Sequence, residues 1–254
     1  MTSFSSYHDT YRFINMQREN GVLEVAIHRN GGPAGWSSFP GGLHEELGDA
    51  FYQIGRDPEN RAVILTDTGD VFLAEYDTSE TDSAAGSPLF WERIYKEGKD
   101  LLMNLLEIEV PVIGAVNGPA FIHVELLTLS DIVLAADTAV FADKVHATVG
   151  VVPGDGVHVW WQMLLGPNRG RYFLLTGQEI PAEEAKVLGF VAEILPPTQL
   201  MARARALAAK LAAKPQMMLR HTRVAFVQHI KQRMQSELGH GLLLEAMAAL
   251  GLRR

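Results

Sequence analysis

Apolar residues recur along this chain with two different periods, and the alternation between them predicts most of its elements. Residues 22–27 follow Gly21 and run into N-G-G-P, a strand closed by a turn. Leu43, Leu47, Ala50, Phe51 and Ile54 then fall at helical spacing, which predicts an amphipathic helix ending before Asp57-Pro58. Residues 62–66 form a short apolar strand with a turn beyond it at Gly69. Residues 70–88 carry no period and are rich in Asp, Ser and Thr, the composition of a loop. Trp91, Ile94, Gly98, Leu101, Leu102 and Leu105 mark the next helix. Residues 110–116 and 131–136 are unbroken apolar runs of strand length, as expected where both faces of a strand are covered. Strand and helix in alternation point to parallel pairing through crossovers, hence an α/β fold. After Pro196-Pro197 the pattern turns helical throughout, with helices predicted over 199–213, 216–235 and 237–252. The chain so divides into a core over 1–196 and a helical region over 197–254. That region is amphipathic and needs a surface to pack on.

Composition narrows the function. A chain of 254 residues with 47% hydrophobic and 20% charged residues is ordinary for a globular protein. A net charge of −8 argues against nucleic acid, whose phosphates need clustered Lys and Arg. Cysteine is absent, which removes disulfides, thiolate nucleophiles and cysteine metal sites. The start, M-T-S-F-S-S-Y-H-D, lacks the basic flank and apolar block of a signal peptide, and no run has membrane-span length. A soluble protein of the cytoplasm, with no membrane partner, is the expectation.

Candidate chemistry lies where titratable groups interrupt apolar runs. His123 and Glu125 stand in N-G-P-A-F-I-H-V-E-L-L-T-L-S-D, a segment that otherwise reads as core. Burying such a group without a partner costs roughly 1–3 kcal/mol, so each is either well satisfied or at work. His146 and Asp155 repeat the theme in H-A-T-V-G-V-V-P-G-D. Asp155 stands equally well as the N-cap of a helix over 157–165 or as the partner of His146. In a dyad, a carboxylate on one imidazole nitrogen fixes the tautomer, and the other nitrogen takes a proton from water. Glu245 lies on the apolar stripe Leu238, Leu242, Ala249, Leu252, where a carboxylate needs a raised pKa or a cationic partner. Trp36 lies in a Gly/Pro-rich loop, a place where tryptophan more often packs over core. His44 borders its helix's apolar stripe and reads most simply as a surface-edge histidine. There is no G-x-S-x-G, P-loop, G-x-G-x-x-G or H-E-x-x-H, which leaves acid–base chemistry on histidine and carboxylate.

The chain resembles the crotonase (enoyl-CoA hydratase/isomerase) superfamily over nearly its whole length. The resemblance rests on A-V-I-L-T at 62–66, P-V-I-G-A-V-N-G-P-A at 111–120, S-D-I-V-L-A-A-D at 130–137 and G-V-V-P-G-D-G at 150–156, with L-T-G-Q-E-I at 175–180. It implies a spiral of ββα turns with a C-terminal helical region. Typical thioester-acting members carry Gly-Gly-Gly where this chain has Ile122-His123-Val124, and a glutamate where it has His146. Those departures are similar to the carbon–carbon bond hydrolase branch, the oxocamphor hydrolase type, which cleaves β-diketones without coenzyme A.

That resemblance implies roles. His146, oriented by Asp155, would activate water for attack on one carbonyl. His123 and Trp36 would hold the other carbonyl and stabilise the enolate, and Glu245 would support the site or relay a proton. His44 and Tyr76 would lie along the substrate wall. The implied activity is retro-Claisen hydrolysis of a cyclic or bicyclic β-diketone to a keto acid, with no metal or organic cofactor. A homotrimer or dimer of trimers is implied as well. Two rivals stand beside it, an acyl-CoA hydratase or isomerase and a non-catalytic assembly protein of the same fold.

Overall fold

The computed structural model describes residues 2–252. A hairpin opens the fold: β1 (Ile14–Glu19) pairs antiparallel with β2 (Val22–Ile27). Its turn is Asn20-Gly21, both at positive φ (50° and 80°), the conformation that an Asn-Gly hairpin turn supplies. The apolar pattern predicts β2 but not β1, because I-N-M-Q-R-E buries only its first and third residues fully. There follow α1 (Leu43–Arg56), β3 (Ala62–Asp67), α2 (Pro88–Glu107), β4 (Val112–Val116), α3 (Glu125–Thr128), β5 (Ile132–Ala136) and β6 (Val140–Phe141). The chain continues through α4 (Lys144–Val149), α5 (Val157–Leu165), α6 (Pro167–Thr176), β7 (Ile180–Pro181), α7 (Ala182–Val187), β8 (Glu193–Leu195), α8 (Pro197–Ala212) and α9 (Gln216–Gly251).

Six strands form one sheet in the order β1-β2-β3-β4-β5-β8, parallel from β2 onward. β6 and β7 pair antiparallel in a second, small sheet. The expected α/β fold with a mostly parallel sheet is the one observed. The central strands are apolar throughout because both faces are covered. Val63 and Leu65 of β3 enter the main core, while Ala62 and Ile64 join Ile113, Ala115, Leu134 and Ala136. That second face packs on Leu200, Ala204 and Ala208 of α8. The helical region past residue 197 therefore starts by completing the sheet's own core.

The two last helices expected from sequence are one. α9 runs unbroken for 36 residues, about 54 Å at the usual rise. Its buried face, Leu219, Arg223, Val227, Ile230, Met234, Leu238, Leu242 and Glu245, keeps helical phase through Ser236. No proline interrupts it, and the Ser236 hydroxyl donates to the Arg233 carbonyl (3.0 Å) rather than breaking the turn. α9 packs against α2 and α5, which brings its C-terminal half to the loops at the carboxy ends of the parallel strands. No helix among the described residues is long and apolar enough to cross a membrane.

Candidate active site

Asp67 closes β3 and ties two loops together. Its carboxylate accepts from the backbone of Ala34 (3.0 Å) and Leu73 (3.1 Å), drawing both segments to the end of the strand. The first loop then pairs with the second: Trp36 N–H donates to Glu75, and Asp77 N–H donates to Trp36, each at 2.8 Å. Trp36 and Tyr76 are thereby set side by side. Beyond β4, the chain turns through His123, which holds φ 48°. A non-glycine residue there is uncommon and worth a functional question. Ile122 and Val124 on either side are buried in the core, and the His123 ring is turned the other way, onto Trp36 with centroids 3.9 Å apart.

These elements enclose a cavity of about 400 Å³. Trp36, His44, Tyr76, His123, His146, Asp155 and Glu245 all line it, so the structure brings together every site residue predicted from sequence. The rest of the wall is mainly apolar, including Phe90, Trp91, Ile94, Leu101, Val149 and Leu242. No Lys or Arg lines it among the described residues.

Asp155 does not orient His146 in the way expected. The orienting carboxylate is Asp143, which accepts from His146 Nδ1–H with both oxygens at 2.7 and 2.8 Å. Asp143 is the N-cap of α4 and also accepts from the His146 backbone (3.2 Å), so one helical turn fixes both ends of the contact. The D-x-x-H spacing at a helix start was the available signal, by analogy with the capping box. Asp155 lies instead at the other nitrogen, 3.5 Å from His146 Nε2. It is not a cap either: Gly156, at φ 102°, holds that position with no side-chain hydrogen bond. His146 Nε2, Asp155 Oδ1 and Glu245 Oε2 are all buried without a protein partner. A water molecule could sit between Nε2 and the carboxylate at about 2.8 Å from each.

His44 is buried rather than at a surface edge. Its Nδ1–H donates to Glu97 on α2 at 2.9 Å. Arg93 donates to the other Glu97 oxygen (2.8 Å) and, through Nη2, to Asp82 and the Ser38 carbonyl (both 2.6 Å). His123 has its own glutamate, Glu125, with Nδ1 and Oε1 2.6 Å apart. Glu97 and Asp143 were missed from sequence, and Glu125 was noticed without a role.

Burial and charge set the protonation. Burial works against a charged His146, but Asp155 and Asp143 outweigh it and raise its pKa to about 10. Burial, and then the neighbouring Asp155, push Glu245 up to about 8. Asp155 is also raised by burial, against the pull of His146 and His123. Burial raises Glu125 to about 8 and lowers His123 and His44. At neutral pH the site thus holds a charged His146 with protonated Glu245 beside it. The donor atoms of His146, Asp155 and Glu245 lie within 4.8 Å of one another, as do those of His123, Glu125 and Asp155. Groups that close share protons. Chemically, the arrangement offers a raised carboxylate base, a neutral acid and two imidazoles around an apolar pocket.

The enoyl-CoA hydratase/isomerase profile matches residues 17–245. The chain belongs to that family. Its fold is the family's: a structure of an enoyl-CoA hydratase/isomerase from Mycobacterium paratuberculosis superposes with a TM-score of 0.86 at 25% identity, over 95% of both chains. In sequence, the probable peroxisomal enoyl-CoA hydratase 1 of Arabidopsis thaliana is 28% identical over 91% of this chain and 83% of its own length. A β-diketone hydrolase from the cyanobacterium Anabaena sp. PCC 7120, solved with bound (S)-3-oxocyclohexyl acetic acid, is more similar. It is 44% identical with a TM-score of 0.93, covering 98% of each chain.

Proposed function

We propose that this family member hydrolyses a carbon–carbon bond of a cyclic or bicyclic β-diketone, giving a keto acid without coenzyme A. The observation that carries the reading is the cavity itself. Buried acid–base groups converge at one end, His123 and Trp36 stand near them, and among the described residues the wall holds no Lys or Arg for a phosphorylated carrier. The likeness to a β-diketone hydrolase along 98% of the chain supports it.

Water held between His146 Nε2 and Asp155 attacks one carbonyl carbon and loses a proton to the pair. Because two aspartates keep His146 charged, that proton lands on Asp155, whose raised pKa makes it a stronger base than an ordinary carboxylate. The tetrahedral intermediate collapses to the carboxylic acid and expels carbon. The electron pair of the broken bond passes into an enolate on the second carbonyl. His123 and Trp36 N–H groups aimed at that oxygen would contribute about 3–4 kcal/mol each. Glu245, neutral below about pH 8, gives its proton to the enolate carbon and is reprotonated from Asp155, which restores both groups. Water and diketone are consumed and one keto acid leaves, with no electrons gained or lost.

Joining the carboxyl carbon of 3-oxocyclohexyl acetic acid to the distant ring carbon α to its ketone gives bicyclo[2.2.2]octane-2,6-dione. That makes it the first diketone to test. Wild-type protein is expected to convert it without coenzyme A, and His146→Ala and Asp155→Asn to lose that turnover. The rival is hydration of an acyl-CoA thioester, as the relatives' names suggest. Turnover of crotonyl-CoA with none of any diketone would establish the rival and overturn the proposal.

A further inference from the structure

Two of the cavity's histidines, His44 and His123, each pair with a glutamate behind the wall, and the surroundings of the two pairs differ. Glu97 receives Arg93 on one oxygen and His44 on the other, so both oxygens are satisfied and the side chain is held as a carboxylate. A carboxylate only accepts, which fixes the proton of neutral His44 on Nδ1 and leaves Nε2 bare. Glu125 has no such support. Oε1 meets His123 Nδ1 at 2.6 Å, Oε2 is buried with no partner, and no Arg or Lys contacts it among the described residues. An ionised carboxylate with an unpaired oxygen in an apolar interior is far costlier than the acid. The titratable groups facing Glu125 are Asp143 at the cap of α4, His146 on α4, whose charge acts the other way, neutral His44 on α1, and Asp155 ahead of α5. The aspartates oppose a further negative charge there, and Asp155, at 3.7 Å, is too far to hydrogen-bond His123 Nδ1.

We propose that Glu125 is a positioning residue that donates its carboxylic acid proton to His123 Nδ1 and so fixes His123 as the Nε2–H tautomer. The inference rests on the diketone-hydrolase reading for its purpose. A substrate carbonyl or enolate oxygen can only accept, so a His123 with its proton on Nδ1 would meet it lone pair to lone pair. The acid form of Glu125 reverses that and presents an N–H to the oxygen. The same pocket then holds two neutral imidazoles of opposite polarity: His44 with a bare Nε2 and His123 with a protonated one. Burial acts on both members of the second pair in the required sense, favouring the neutral acid and the neutral ring.

The tautomer can be read in the resting protein by nitrogen-15 NMR of ring-labelled histidine, with His44 as internal reference and His123→Gln for assignment. At neutral pH, His123 is expected to show a protonated Nε2 and an unprotonated Nδ1, and His44 the reverse. A proton on Nδ1 of His123, or on both of its nitrogens, would overturn the proposal. Kinetics on the diketone give the second arm. Glu125→Gln keeps a donor for Nδ1, so kcat is expected to stay within about threefold, whereas Glu125→Ala loses roughly 10²-fold, the scale of one oxyanion donor. A Gln variant as impaired as the Ala variant would also overturn it. If the wild type turns over no diketone, the functional reading fails while the spectroscopic result still decides the tautomer.

Discussion

At His146 two carboxylates touch one imidazole and do different things. Asp143 grips Nδ1 from the helix cap and sets where the ring points, while Asp155 faces the nitrogen that meets water. Replacing Asp143 with Asn keeps the shape but exchanges a charged acceptor for an amide that can turn its NH₂ toward Nδ1. By analogy with a triad aspartate, Asp143→Asn is expected to lower kcat on a diketone by about 10²–10⁴-fold with little change in KM. An unchanged kcat would mean that the cap does not orient the ring. Glu245 supplies a pH prediction with a definite sign. Its carboxyl is protonated below about 8 and ionised above, where it can no longer donate and adds a second negative charge beside Asp155. Hence kcat should fall as pH rises through about 8, and Glu245→Gln, which can neither ionise nor donate that proton, should be slower throughout and its residual turnover should lack that limb. A limb that persists in the Gln variant would assign it to another group. The groups legible in sequence at this scale were those that stand out against apolar neighbours, namely His123, Glu125, His146 and Glu245. Other partners were harder to see: Glu97 lies 53 residues from His44 and looks like any polar position on a helix.

Between elements, two glycines decide how closely the Asp155 loop approaches α9. A Cβ on Gly154 would lie 2.1 Å from the Gly241 carbonyl oxygen, and one on Gly241 would lie 2.3 Å from the Gly154 carbonyl oxygen and from His158 Cε1. Backbone therefore rests on backbone, one residue from Asp155 and four from Glu245. Gly154→Ala must push the loop from the helix, and is expected to cost about 1–3 kcal/mol of stability and to separate the two carboxyls. The measurement is a thermal melt alongside diketone turnover, with Gly251→Ala as control because its Cβ would have no neighbour within 4 Å. Equal melting temperatures for both variants would show that the loop yields without strain. The sequence marks Pro153-Gly154 as a turn, yet that this turn meets Gly241 is a tertiary fact with no local signature. The same distinction explains α9. Period 3.6 was visible in both of its halves, but that the two stay in phase as a single rod depends on α2 and α5 lying along one face. β1 was hidden for the opposite reason: a sheet-edge strand exposed on one side has too few apolar residues to register.

Over the whole molecule, the buried surface is accounted for and the outer surface is not. Leu175, Val187 and Met217 are 80%, 86% and 71% exposed, and α9 adds Phe226, Leu243 and Met247 along its outer side. Scattered exposed apolar residues are unremarkable, but a 36-residue helix carrying them at both ends leaves apolar surface that another copy of the chain can cover. The net charge of −8 is small enough for a chain of this size not to forbid contact through a helix face. We propose that self-association covers α9, in the trimer or dimer of trimers that the family resemblance implies. Sedimentation at micromolar concentration should give three or six times the 28.0 kDa chain mass. Met217→Asp with Phe226→Asp should shift the distribution toward the monomer, because a buried unpaired carboxylate costs several kcal/mol. A wild-type monomer would sink the expectation. The consequence for the site can be read from the end of the same helix, where Ala249 and Leu252 form part of the cavity wall. A face that holds α9 in place also holds that wall. Dissociated protein should therefore bind a diketone more weakly while keeping the acid–base groups, so KM rises more than kcat falls.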